Sequence, residues 1–216
     1  MRAPLAILGL CFLPALARAD RGALTLDAGG GGVATFLPAP APAGFTTNSQ
    51  VTPTTAPAAV VGLRYAISNG LEVALSGFFQ PAVSVFHNGV TLTSADSTPF
   101  PGTLAHGYGA YGGAAGVRFL WGSEWRVTAG AELGWTRRLY SGLQQVNDRV
   151  SPAVDYRLGL PNLTVDSFSL AAVGGVEWVF SDAMSISVLP RVELLPGREL
   201  ALAVVLPVTV AFSWYL

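Results

Sequence analysis

Lysine is absent from this chain, and cysteine occurs once, at Cys11. Charge of either sign is scarce: 12% of residues are charged, about half the share in ordinary soluble domains. A soluble protein of this size has to cover a large surface with polar groups, and this chain has few to offer. Its basic residues are all Arg and form no basic stripe, so nucleic-acid binding is not expected. Nor does any stretch read as a spanning helix, which needs roughly 20 apolar residues. The best candidate, Leu200 to Leu216, is short and carries Pro207 in its middle. Its Val204, Val205, Val208, Thr209 and Val210 favour strand.

The first residues have the layout of a secretory signal. Met1 and Arg2 give a positive start, Leu5 to Leu16 form a short apolar run, and Ala17-Arg18-Ala19 places small residues at a cleavage site. The expected division is a cleaved signal peptide, 1–19, and one barrel domain, 20–216. A lipoprotein signal ending at Cys11 fails because Leu10 stands where a small residue is required. Cleavage removes Cys11, which excludes a disulfide framework and a thiol nucleophile. Arg2 and Arg18 also leave, so ten Arg face thirteen acids, a net charge of −3.

A chain too apolar for water and without spanning helices has one membrane solution left, the closed β-barrel. The period-two pattern supports it. Val61, Leu63, Tyr65 and Ile67 alternate with Gly62, Arg64, Ala66 and Ser68, and Ser68-Asn69-Gly70 is a hairpin turn. Leu71 opens a second alternating run to about Phe86. Ala110 to Leu120 meets Trp125 to Tyr140 across Trp121-Gly122-Ser123-Glu124, and Ser167 to Phe180 meets Met184 to Leu195 across Ser181-Asp182-Ala183. With strands inside Ala23–Phe36 and Leu200–Leu216, the count is eight. Three connections are long: Pro38 to Pro57, His87 to Gly109 and Ser141 to Asp166. The seventh, Pro196 to Glu199, is short. Short turns at one rim and long loops at the other are the asymmetry of outer-membrane barrels. The expected fold is therefore all-β, an eight-stranded antiparallel transmembrane up-and-down barrel in a bacterial outer membrane.

The phase of the charges separates a membrane barrel from a soluble one. Asp27, Arg64, Glu72, Arg118, Arg126, Glu132, Arg138, Glu177, Arg191 and Glu193 share one face with Thr25, Thr128 and many small residues. Five acids and five arginines suit a narrow lumen, where buried charges must be paired. The opposite face carries Leu24, Leu26, Leu63, Ile67, Leu71, Val73, Leu75, Val117, Val127, Leu133, Leu170, Val188, Val192, Val208 and Val210, as lipid requires. Aromatic residues fall near strand ends, as in interfacial girdles: Phe78, Phe79, Phe86, Trp121, Trp125, Trp135, Tyr140, Trp178, Phe180, Phe212 and Trp214. Pro81, Pro190 and Pro207 interrupt strand runs. Pro81 and Pro207 are expected near the outer rim, and a bulge is expected at Pro190.

These features together resemble the small eight-stranded outer-membrane barrels of OmpA/OmpX type, over essentially the whole chain after residue 19. The closing run Val208-Thr209-Val210-Ala211-Phe212-Ser213-Trp214-Tyr215-Leu216 resembles the family's signal for the barrel-insertion machinery, although it ends in Leu216 with Trp214 two residues earlier in the same phase. The resemblance implies membrane lipid, lipopolysaccharide and that machinery as partners. It is nearly silent on activity, and no trailing peptidoglycan-binding domain is expected.

Three functional readings follow. The first is a structural or surface-interaction barrel with its function in loops and rim. The second is a lipid-modifying enzyme: His87, His106, Asp96 and Ser97 share one loop and resemble the His/Ser/Asp group of barrel enzymes that act on lipid A. The third is a narrow ion-conducting path along the interior charges. Arg137 points outward beside Trp135 and is a candidate contact for lipopolysaccharide phosphate. No ligand spacing supports a metal site, no cofactor motif is present, and Gly29 to Gly32 lacks the helix and Lys-Ser/Thr of a phosphate loop. Those glycines are expected to mark a bend or tight packing.

Overall fold

The alternation around Val61 to Ile67 builds a strand that runs Val51–Ser68. It turns at Asn69-Gly70, with Gly70 at a φ of 99°, and returns as Leu71–Ser94. The computed structural model describes residues 21–48, 50–147, 157–196 and 200–215. The expected signal peptide, Leu216, residues 148–156 of the third long connection and residues 197–199 of the seventh lie outside the described residues.

Eight strands form the wall. In chain order they are Ala23–Pro38, Val51–Ser68, Leu71–Ser94, Pro99–Gly122, Trp125–Val146, Leu163–Ser181, a seventh in two segments, Met184–Val188 and Arg191–Leu195, and Ala201–Tyr215. Every strand pairs antiparallel with its sequence neighbours. The eighth closes on the first, from Ala23 opposite Tyr215 to Phe36 opposite Leu202. This is an eight-stranded antiparallel transmembrane up-and-down barrel. Two short strands, Phe45–Thr47 and Arg157–Gly159, extend the wall beside Leu92–Ser94 and Gln144–Val146.

The wall presents the expected apolar face outward: Leu26, Leu63, Val73, Leu75, Val127, Leu133, Leu170 and Val208 are all exposed. Trp125 and Trp178 stack near the short-turn rim. Trp135 and Tyr111 meet edge to face higher up. From Trp125 to Trp135, at about 3.3 Å per residue and a tilt near 40°, is roughly 25 Å, the height of a membrane barrel's apolar band. Two aromatics expected in the girdles turn elsewhere. Tyr140 is buried inside, and Phe78 packs partly inward beneath Arg191.

The long connections are shorter than expected. The third and fourth strands continue to Ser94 and from Pro99, so most of His87 to Gly109 is a paired hairpin. The fifth strand runs on to Val146, and Val51 to Pro57 pairs with the first strand. Outside the lipid a strand needs no apolar outer face, which is why these segments read as loops. The ladder between the second and third strands stops at Ala59 opposite Phe79, and above it these strands separate.

Pro190 was expected to force a bulge and does not. Val173 faces Arg191 and Val176 faces Val188, so the register crosses the proline unchanged. The reason is Gly175 on the adjacent strand: a Cβ there would come 3.0 Å from Pro190 Cδ. The bulge sits instead at Pro81, between Gln80 and Val83. At Gly29 and Gly31 an added Cβ would meet backbone oxygens of the eighth strand at 2.0 Å, so these glycines serve close packing.

Candidate functional site

The lumen falls into a charged lower half, toward the short turns, and an apolar upper half. In the lower half Arg64 is fully buried and holds three carboxylates. Its Nε and Nη2 donate to Asp27 at 2.7 and 2.8 Å, Nη1 to Glu72 at 3.2 Å, and Nη2 to Glu177 Oε1 at 2.9 Å. Ser185 adds a hydroxyl donor to Glu177 at 2.6 Å. Arg126 faces Glu177 in register and lines the short-turn mouth with Glu72.

A second cluster lies above it. Glu132 accepts from Arg118 Nη2 at 2.7 Å, from Arg191 Nη1 at 2.8 Å and from the Ser76 hydroxyl at 2.9 Å. Arg191 also approaches Glu193 at 3.6 Å, and Thr136 donates to the same carboxylate at 2.9 Å. Arg138 donates to Ser167 Oγ at 2.9 Å. Between the clusters a cavity of 40 Å³, lined by Asp27, Arg118, Glu132 and Arg191, has room for a water or two. The paired side chains reach across the barrel interior at both levels.

Above the charges the interior turns apolar, a change the alternation did not announce. Val33, Leu195 and Val205 pack in one cluster, then Leu37, Val85, Tyr108, Tyr140 and Leu143, then Val90, Leu92 and Leu104. Gln145 is buried among them and donates to the carbonyls of Val90 and Phe100, each at 2.9 Å.

His87 and His106 meet in this upper part, above the aromatic band and outside the membrane span. Their rings stack, with Nε2 atoms 3.1 Å apart. The surrounding partners fix the protons. His106 Nδ1 faces the Gly107 carbonyl at 3.3 Å and must donate, so its Nε2 accepts from His87 Nε2–H. His87 Nδ1 then accepts from the Thr52 hydroxyl at 2.8 Å. The chain of bonds is complete with both rings neutral. Burial, with the neighbouring imidazole second, pushes His87 down to about 4, and burial lowers His106.

Asp96 and Ser97 do not join them. They sit at the exposed hairpin tip, where Asp96 accepts from the Ser94 hydroxyl and, at 3.2 Å, from the Thr98 N–H. Those bonds hold its carboxyl below the usual range. The rise from His87 to Ser94 is about 20 Å. Of the four residues considered for lipid chemistry, the fold brings together the two histidines and leaves the carboxylate and hydroxyl at the tip.

Arg137 points outward, as expected, and Asp166 takes it in a bidentate pair, both bonds 2.8 Å. Its guanidinium also lies over Trp135 at 5.3 Å from the ring centre. Sequence reading missed Asp166 as its partner. It also missed Thr52 and Gln145, whose roles depend on which strands meet above the membrane.

No protein-family model matches the sequence, and no curated protein matches it. Similarity appears among solved structures. Neisserial surface protein A superposes with a TM-score of 0.55 at 12% identity, over 89% of this chain and 99% of that one. Ail, the attachment invasion locus protein of Yersinia pestis, gives a TM-score of 0.50 at 11% identity, over 90% and 99%. Ail is also known in complex with the heparin analogue sucrose octasulfate. The shared feature is the fold, that of the small eight-stranded outer-membrane barrels.

Proposed function

We propose that this chain, a barrel of the OmpA/OmpX-like fold, works in a bacterial outer membrane as a surface-interaction protein with a closed lumen. The observation that carries this reading is the wall above the aromatic band. The third and fourth strands pass the band and end in a packed hairpin, Ser94 to Pro99, braced from inside by Leu92, Leu104 and Gln145. Such a projection presents the exposed tip residues to whatever lies outside the cell.

The enzyme reading loses support because Asp96 and Ser97, its carboxylate and hydroxyl, stand at the hairpin tip away from the paired histidines. A pore is disfavoured by the filled lower lumen. Membrane lipid covers the band in this reading, and insertion follows the family's barrel-assembly route. Lipopolysaccharide contact through Arg137 stays within it, but as a neutral Arg137–Asp166 pair for which a phosphate has to compete.

Surface labelling tests the placement. The chain after residue 19 has no cysteine, so Asp96→Cys is a single-thiol probe. Intact cells treated with a membrane-impermeant maleimide should label Asp96→Cys and spare Asp182→Cys in the short turn. Labelling of Asp182→Cys alone would overturn the orientation and the surface role with it.

A further inference from the structure

Beneath the segment that follows the first strand lies a pocket of 230 Å³, lined by Pro38, Pro40, Ala41, Arg138, Tyr140, Leu163 and Val165. Its walls are apolar except at Arg138 and Tyr140. Pro38 and Pro40 are buried and, as prolines, bring no N–H donors to the wall. The volume matches roughly eight groups of about 30 Å³, the share of one water and close to that of one methylene.

The polar end of this pocket is unusual for this barrel. Arg64, Arg118 and Arg191 each bind a carboxylate, whereas Arg138 forms no ion pair among the described residues. Its side chain is buried, 3% exposed. Nη2 is engaged by Ser167, and Nε–H is buried without an acceptor. Formal charge agrees locally: the upper cluster holds Arg118, Arg138 and Arg191 against Glu132 and Glu193, one positive charge in excess, while the compensating negative charge lies in the lower cluster, where Arg64 and Arg126 stand against Asp27, Glu72 and Glu177. A buried cation with an open donor is costly unless an anion meets it.

We propose that this pocket binds a monoanionic amphiphile, its head group on Arg138 and a medium-length alkyl chain against Leu163, Val165, Pro38 and Pro40. One unmatched charge fits a carboxylate better than a dianion, and a guanidinium is the cation that best suits a carboxylate. The site is internal to the barrel and independent of which partner the hairpin tip meets.

Binding of radiolabelled octanoate to the full barrel in phosphatidylcholine nanodiscs tests it, with octanol as the uncharged control. The expected result is saturable one-to-one binding of octanoate. Arg138→Gln should weaken it about tenfold or more while leaving octanol unchanged, and Arg138→Lys should restore part of the preference. Leu163→Trp, which narrows the apolar end and keeps the charge, should abolish octanoate binding; it also serves if Arg138→Gln fails to fold. Unsaturable partitioning, equal uptake by the wild type and Arg138→Gln, or undiminished binding by Leu163→Trp would each overturn the site.

Discussion

Arg64 on the second strand meets Glu177 on the sixth at 2.9 Å. These strands are four apart by either route round the ring, so the contact spans the barrel's full width. Asp27 and Glu72 complete the grip from adjacent strands. Removing the arginine leaves three buried carboxylates without the cation they share. Arg64→Met should therefore lower unfolding stability by about 3–5 kcal/mol, read as a shift in the urea midpoint of the barrel in lipid vesicles. A shift within error would mean that water already screens the cluster.

The surface pair gives the contrast. Arg137 and Asp166 have equally good geometry but are 38% and 45% exposed. Solvent and salt screen such a pair. A double-mutant cycle with Arg137→Ala and Asp166→Ala should return a coupling much smaller than the cycle for Arg64 and Asp27, and one that fades as salt rises. Equal couplings would contradict the distinction between lumen and rim.

The histidine stack makes the extension sensitive to acid. Its folded state holds His87 at about 4, below the value near 6.5 of an unfolded chain. Between those limits the unfolded state binds more protons, so stability falls as pH drops from about 6.5 toward 4 and is intact above. The loss is on the order of 3 kcal/mol and is confined to the region above the membrane, which opens on its own scale. Hydrogen exchange, corrected for intrinsic rate, should show the backbone around Val85 to His106 losing protection at pH 4.5 while the wall around Leu133 keeps it. In a His87→Gln, His106→Gln double variant that pH response should disappear. An unchanged response would place its origin elsewhere.

A catalytic role for the same histidines predicts something different. Since Asp96 and Ser97 lie at the hairpin tip, His106→Ala should leave the cell's lipid A unaltered by mass spectrometry. Altered lipid A would restore the enzyme reading.

Much of the barrel was legible in the alternation itself. Leu63 and Arg64, or Val117 and Arg118, declare opposite faces because only lipid and lumen impose such different chemistry on adjacent residues. What alternation could not carry was a change of phase. The bulge at Pro81 inserts a residue between Gln80 and Val83, and so Val85 and His87 turn inward although they share parity with the outward Val73 and Leu75. A second shift, between His87 and Val90, returns Val90 and Leu92 to the interior, and an extra residue near Gly142 does the same for Leu143 and Gln145. Each hid part of the apolar upper core. Pair identities were equally hidden. That Arg64 meets Glu177 depends on the stagger of strands far apart in sequence, which no local pattern records.

The central claim is a lumen closed by its own ion pairs, and single-channel recording in planar bilayers tests it most directly. The purified wild-type barrel should show no steady, ion-selective openings across a range of voltages. Steady openings that Arg64→Met or Arg126→Ala alters in conductance or selectivity would contradict it, because ions would then be passing where Arg64 and Glu177 are said to meet.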